Sequence, residues 1–162
     1  FILKIQKLTL YKKPHHYDGA FFIYDIKKRK NMISKNMKTF MIIASFMMAL
    51  TIAIGAFGAH SLKPYLDEYS TDIYEKAVSY QFYNTLGLFF ISFVSYLLPD
   101  STKIKKAFYF ILMGTLIFSF SLYILALTKI MWLGAITPIG GTFMIIGWVL
   151  CGYTIIKELK TN

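Results

Sequence analysis

Few residues of this chain have both the type and the spacing for chemistry. His60 stands in Gly55-Ala56-Phe57-Gly58-Ala59-His60-Ser61-Leu62-Lys63-Pro64, a run of small residues that turns on a histidine and a proline. One imidazole can relay a proton near neutral pH or donate to a carbonyl at a helix end. It cannot alone make a zinc site or bis-histidine haem ligation, and neither a Cys nor a second His is near it in sequence, so the helix-end role is preferred. Tyr80, Tyr83, Asn84 and Gly87 follow the steps i, i+3, i+4 and i+7, which puts them on one face of a helix. Inside a membrane such a face is expected to point inward, toward neighbouring helices. It would line a small-molecule or lipid pocket or, more simply, make interhelical hydrogen bonds and anchor its tyrosines at the interface. Thr137-Pro138 with Gly140-Gly141 is expected to kink or open a helix, because Pro138 has no N–H to donate. Broken helices expose backbone to ions and substrates in transporters. Here the break lies near the beginning of the span, so a re-entrant-like start or a simple kink is more economical, and close packing at Gly140, Gly141 and Gly147 is preferred to an opened helix.

The absences narrow the chemistry further. No P-loop, metal-binding helix motif or Gly-rich nucleotide fingerprint is present, and Ser, His and acid never assemble into a hydrolytic motif. The single cysteine, Cys151, excludes an intramolecular disulfide and reads as a small buried hydrophobe. His15-His16 lacks further ligands and makes a weak metal site. These readings lead to a non-enzymatic protein with no cofactor and no metal.

The elements that must position these residues are apolar. Hydrophobic residues make up 56% of the 162, with 15 Phe and 12 Tyr, and the mean hydropathy is +0.52. A small soluble domain needs more polar cover than that. The apolar residues form four uncharged blocks, 39–59, 77–98, 107–128 and 130–156, each about the ~20 residues that cross a hydrocarbon core. Ion-coupled transporters usually keep an ionisable group inside the membrane, and none of the four blocks holds an Asp, Glu, Lys or Arg. In the first block Ala49, Ala53 and Ala56 lie at helical spacing and Gly55 pairs with Ala59, a pattern that lets helices approach closely. A cleavable signal peptide is a rival reading of that block, disfavoured by its length. Ser70 or Thr71 is placed to cap the second helix, with Asp72 and Glu75 in its first turn, and Pro99 stops it.

Charge then orients the blocks. Residues 1–36 carry nine of the 18 Lys/Arg and two of the 8 acids. This tail reads as a basic segment touching anionic lipid or as sequence translated ahead of a start at Met37 or Met32, disordered and without function. With the excess there, no basic face on a folded soluble module can be drawn, so no nucleic-acid partner is expected. Lys38, then Lys103, Lys105 and Lys106, then Lys157 and Lys160 fall on one side. The acidic 60–76 connection and the lone Lys129 fall on the other. Lys/Arg enrichment of cytoplasmic loops puts both termini inside.

Two stretches carry a family resemblance. Gly55 to Leu62 followed by Tyr80-Gln81-Phe82-Tyr83-Asn84 resembles the N-terminal signature of domain of unknown function 423, the YgdD/YwdK-like small membrane proteins. Ser121-Leu122-Tyr123 with Trp132-Leu133-Gly134-Ala135-Ile136-Thr137-Pro138-Ile139-Gly140-Gly141 resembles its C-terminal one. The similarity runs from about Met37 to the end, and the 1–36 tail has no counterpart in it. It implies a four-helix protein of bacterial plasma membranes. Asn84 stands where many members carry a histidine, which argues against histidine chemistry there. The expectation is an all-α integral membrane bundle of four antiparallel transmembrane helices. It would pack with itself, lipid or a partner complex; the alternative is a small permease or channel-like carrier lined by Tyr80, Tyr83, Asn84 and Thr137.

Overall fold

Four long helices account for most of residues 34–159, the part of the chain that the computed structural model describes. Helix α1, Lys35–Phe57, starts at Ser34, whose hydroxyl accepts from the Met37 N–H at 3.1 Å. It therefore begins within the segment assigned to the basic tail; the remainder of that tail, with His15-His16, lies outside the described residues. α1 does not stop at Ala59 but runs on through a π-helical turn, Gly58–Leu62. Helix α2, Glu68–Leu97, is capped by Asp67 rather than by Ser70 or Thr71: the carboxylate accepts from the Ser70 N–H at 2.8 Å. An acid there also meets the positive end of the helix dipole. α2 ends before Pro99, with Leu98 at φ −127° and ψ 65°, outside the helical region that a following proline disfavours.

Helix α3, Thr102–Thr128, is capped by Ser101, which accepts from Ile104 N at 3.3 Å, and closes on Lys129 in the left-handed conformation at φ 57°. A 3-10 turn, Met131–Ala135, leads into helix α4, Thr137–Glu158. The expected block 130–156 thus divides into a short turn and a helix. Pro138 occupies the first turn of α4, where a missing N–H breaks no helical bond. The expected kink within the fourth helix is replaced by a clean start.

Contacts between helix ends fix the directions. Asn36 at the start of α1 donates to the Pro99 carbonyl just after α2 (3.1 Å), while Tyr74 near the start of α2 donates to Ile54 near the end of α1 (2.8 Å). Ser119 of α3 reaches the Ala77 carbonyl of α2 at 3.0 Å. Lys103 at the start of α3 pairs with Glu158 at the end of α4 (2.9 Å), and Ser121 meets Thr137 at the opposite end (3.1 Å). Successive helices are therefore antiparallel, and α1 and α3 are parallel, with Phe40 stacked on Phe108 at 3.9 Å between ring centroids.

Polarity is distributed as in a membrane bundle. Gln81, Asn84, Thr85, Ser92, Thr115 and Ser119 are buried, whereas Phe46, Ile52, Phe93, Ile145 and Val149 face outward. In water that arrangement is costly; in lipid it is the favourable one. Lys35–Leu62, Thr102–Thr128 and Met131–Glu158 are long and apolar enough to cross a membrane. α2 has 30 residues but a lower apolar content, because its buried face carries the Gln, Asn and Ser side chains that its neighbours enclose. The buried residues of α1 are Phe40, Ala44, Met47 and Thr51. Ala49, Ala53 and Ala56 are exposed, so that stripe does not make the α1–α2 seam. The tightest seam joins α3 to α4. A Cβ on Gly140 would lie 2.5 Å from the Phe118 nitrogen and 2.7 Å from the Gly114 carbonyl oxygen, so the two backbones touch.

Candidate functional site

The inward face of α2 is the polar heart of the bundle. Its buried arc is centred on Ala77, Gln81 and Leu88, with Asn84 to one side and Thr85 to the other. Asn84 donates through Nδ2 to the Tyr80 carbonyl at 2.9 Å and accepts through Oδ1 from the Trp148 indole N–H of α4 at 3.3 Å. The same indole covers Gly87, where any Cβ would collide with it. Asn84 and Gly87 thus point inward, as the spacing predicts, but Tyr80 and Tyr83 do not. Both are exposed. They sit round the outer flank of the helix, Tyr80 against the Phe118 ring at 4.4 Å. The four-residue spacing places side chains near one another without saying where the centre of the buried arc falls.

The other sequence candidates are dispersed. His60 projects, exposed, from the last turn of the π-helical extension, at the end of the first helix, where Lys63 is the C-cap. Thr137 Oγ1 lies 3.1 Å from Ser121 Oγ; since Ser121 donates to the Phe118 carbonyl at 2.9 Å, Thr137 supplies the proton between them. Pro138 is exposed beside it. His60, Tyr80, Tyr83, Asn84, Thr137 and Pro138 therefore do not line a common pocket.

A buried pair missing from the sequence reading holds the centre. The Tyr123 hydroxyl of α3 donates to Gln81 Oε1 at 2.8 Å, while Gln81 Nε2 is buried without a hydrogen-bond partner. Tyr74 packs on Tyr123 with ring centroids 5.1 Å apart. A glutamine inside an uncharged block signals that a partner must exist, since burying an amide unpaired is costly. The partner itself stands 42 residues away. Most of the remaining interior hydroxyls bond to their own helix: Thr51 to Met47, Thr85 to Gln81, Ser92 to Leu88 and Thr115 to Ile111, each at 2.7 Å.

Charge is confined to the ends. Near His60, Lys129 Nζ is 2.6 Å from Asp67 Oδ2, tying the α1–α2 connection to the α3–α4 turn. The Lys129 ammonium, with the Ser70 N–H, holds the Asp67 carboxyl well below the usual carboxylate range. Among the described residues, no three His, Cys, Asp or Glu side chains gather where a metal could be held. The interior offers hydroxyls, amides and an indole, groups that bind and orient by hydrogen bonding.

Comparison with known proteins agrees with this architecture. The family model described as protein of unknown function, DUF423, matches residues 54–141, just over half of the chain. A UPF0382 membrane protein of Staphylococcus haemolyticus is 44% identical over 114 residues, covering 70% of this chain and 92% of the relative. The UPF0382 membrane protein YwdK of Bacillus subtilis is 37% identical over 123 residues, covering 76% of this chain and 100% of the relative. No solved structure matches. With the family model spanning both sequence signatures and the relatives covered over nearly their whole length, the chain belongs to the DUF423 family of membrane proteins.

Proposed function

We propose that the protein is a non-enzymatic component of the bacterial plasma membrane, with both termini cytoplasmic, that packs with itself, with lipid or with a partner complex. The observation that carries this reading is the outward Ala49, Ala53 and Ala56 stripe of α1. Small residues at that spacing let another helix approach closely in lipid, and the bundle leaves the stripe uncovered. The orientation is supported by Lys38, Lys103, Lys105, Lys106 and Lys157 at one end, against the net acidic connection with Asp67, Glu68, Asp72 and Glu75 at the other. In a Cys151→Ala background, Ala53→Cys is expected to form an intermolecular disulfide under mild oxidation in native membranes, or to crosslink to one copurifying protein. Failure of both, with Ala53 equally inert to longer crosslinkers, overturns the proposal.

The rival reading, a small carrier, draws on the unpartnered Gln81 Nε2. It requires that Asn84→Ala abolish solute flux while the protein accumulates normally. The structural reading expects weakened folding or assembly instead, because Asn84 joins α2 to Trp148 of α4.

A further inference from the structure

At the Lys103 end of the bundle, the outer flank of α3 carries a cleft of about 280 Å³ beside α4. Lys105, Tyr109 and Met113 follow one another at i, i+4 and i+8 along one ridge of α3, and Lys106 and Phe110 at i and i+4 along the next. Phe143 of α4 completes the lining, its ring centroid 5.5 Å from that of Phe110. Tyr109 is braced edge-on by Phe40 of α1 at 5.9 Å and by Phe108 at 5.7 Å.

The lining is ordered by depth. Both lysines belong to the opening turns of α3, at the headgroup end of the helix, and Met113 lies roughly 12 Å along the axis from Lys105. Phe143 is near the Met113 level, because its neighbour Met144 packs on Gly114. Positive charge therefore stands at the water's edge, with rings and a thioether below it, and the lysine stems can cover the rings while the ammonium groups reach the surface. That is the order in which a lipid presents its own parts, phosphate first and acyl chain after. Among the described residues no acid lines the cleft, and the acid that α4 brings to this end, Glu158, is held by Lys103. A zwitterionic headgroup would bring an ammonium to two lysines with no carboxylate to receive it. A soluble anion would satisfy the lysines and leave the apolar floor unfilled. Whole-ligand sites begin at about 300 Å³, so the cleft suits one phosphate and the upper part of one acyl chain.

We propose that this cleft binds an anionic phospholipid of the phosphatidylglycerol class. Lys105 and Lys106 take the phosphodiester, and one acyl chain lies over Tyr109 and Phe110 to reach Met113 and Phe143. The inference rests on the membrane placement proposed above and is independent of whether the bundle self-associates.

The test is lipid exchange into the purified full chain, read by native mass spectrometry. Phosphatidylglycerol and phosphatidylethanolamine of identical chains are offered together. Wild type is expected to retain phosphatidylglycerol with a preference of about fivefold or more, the attraction of one lysine to an anionic lipid. Lys105→Gln with Lys106→Gln should erase the preference. Lys35→Gln with Lys157→Gln removes the same charge at the same end but outside the cleft, and should keep it. Met113→Trp, which fills the apolar floor from an exposed position, should cut retention with both lysines intact. Equal retention of the two lipids by wild type, or an equal loss of preference in the two double variants, overturns the proposal. Unchanged retention by Met113→Trp overturns it too, so the wild-type and Met113→Trp results decide even if a double variant fails to fold. Displacement by soluble glycerol phosphate as effective as by the lipid would make the ligand a free phosphate ester and also overturn it. The oligomeric state read from the same spectra tests the proposed function separately.

Discussion

Replacing Gly140 by Ala adds one methyl group at the point where α3 and α4 touch. That carbon would sit 2.5 Å from Phe118 N, 2.7 Å from the Gly114 carbonyl oxygen and 2.9 Å from Phe118 Cα. All three are backbone atoms, so no side-chain rotation relieves the clash. The helices must separate by roughly 1 Å, which forfeits up to about half of the dispersion attraction along the contact. Overpacking of this kind costs about 1–3 kcal/mol. Gly152→Ala on the same helix is the internal control: nothing lies within 4 Å of its Cβ position. There only the helix propensity of alanine acts, a gain of up to about 1 kcal/mol. Both variants share that propensity gain, so they should differ by the overpacking cost alone, about 1–3 kcal/mol in reversible unfolding measured in bicelles, with Gly140→Ala the less stable. If Gly140→Ala is as stable as Gly152→Ala, the α3–α4 seam is not the close backbone contact described.

Three further outcomes follow from particular groups. Lys129 holds φ 57° without being glycine and also pairs with Asp67; Lys129→Gly should unfold about 1 kcal/mol later than Lys129→Ala, since both lose the pair but only glycine relieves the left-handed strain. Tyr123→Phe leaves the whole Gln81 amide unpartnered and should cost about 0.6–1.7 kcal/mol, part of which Gln81→Leu restores in the double variant. The Asp67 carboxyl is held below its ordinary range by Lys129 and the Ser70 N–H, so its contribution to folding is full above the unfolded value of about 3.9 and is lost as pH falls toward the lower folded value. A pH series of unfolding midpoints should show an acid-side decline that Asp67→Asn reduces; an identical decline in that variant would refute the pairing.

The helices were legible because charge-free blocks bounded by lysines and acids define what can enter lipid, and the ends at Pro99 and Lys129 followed from the same residues. The caps were less so. Ser70 and Thr71 stand nearer the apolar block than Asp67, yet the acid has the reach and the charge to hold the first free N–H groups of α2. Pro138 announced a break, but only the 3-10 turn before it shows that the helix begins there. The inward face of α2 was half legible. Asn84 and Gly87 point inward, whereas Tyr80 and Tyr83 lie outside, because a tyrosine is at home on a lipid-facing flank and polarity does not rank it against asparagine. For the same reason the alanines of α1 announced close packing without saying whether the partner helix is internal. The pairs that organise the interior, Gln81 with Tyr123 and Asn84 with Trp148, join positions 42 and 64 apart, and nothing local to either residue names its partner.

The most direct test concerns whether the polar interior binds helices to one another or lines a path. In a Cys151→Ala background, single cysteines at Gln81, Thr85, Thr115 and, as an exposed control, Lys63 are treated with a membrane-impermeant thiol reagent from each side of sealed vesicles. Lys63→Cys should label from one side, while the three buried positions stay unlabelled from both, because their neighbours enclose them. Labelling that progresses through Gln81, Thr85 and Thr115 from either side would establish a water-filled path and contradict the structural reading.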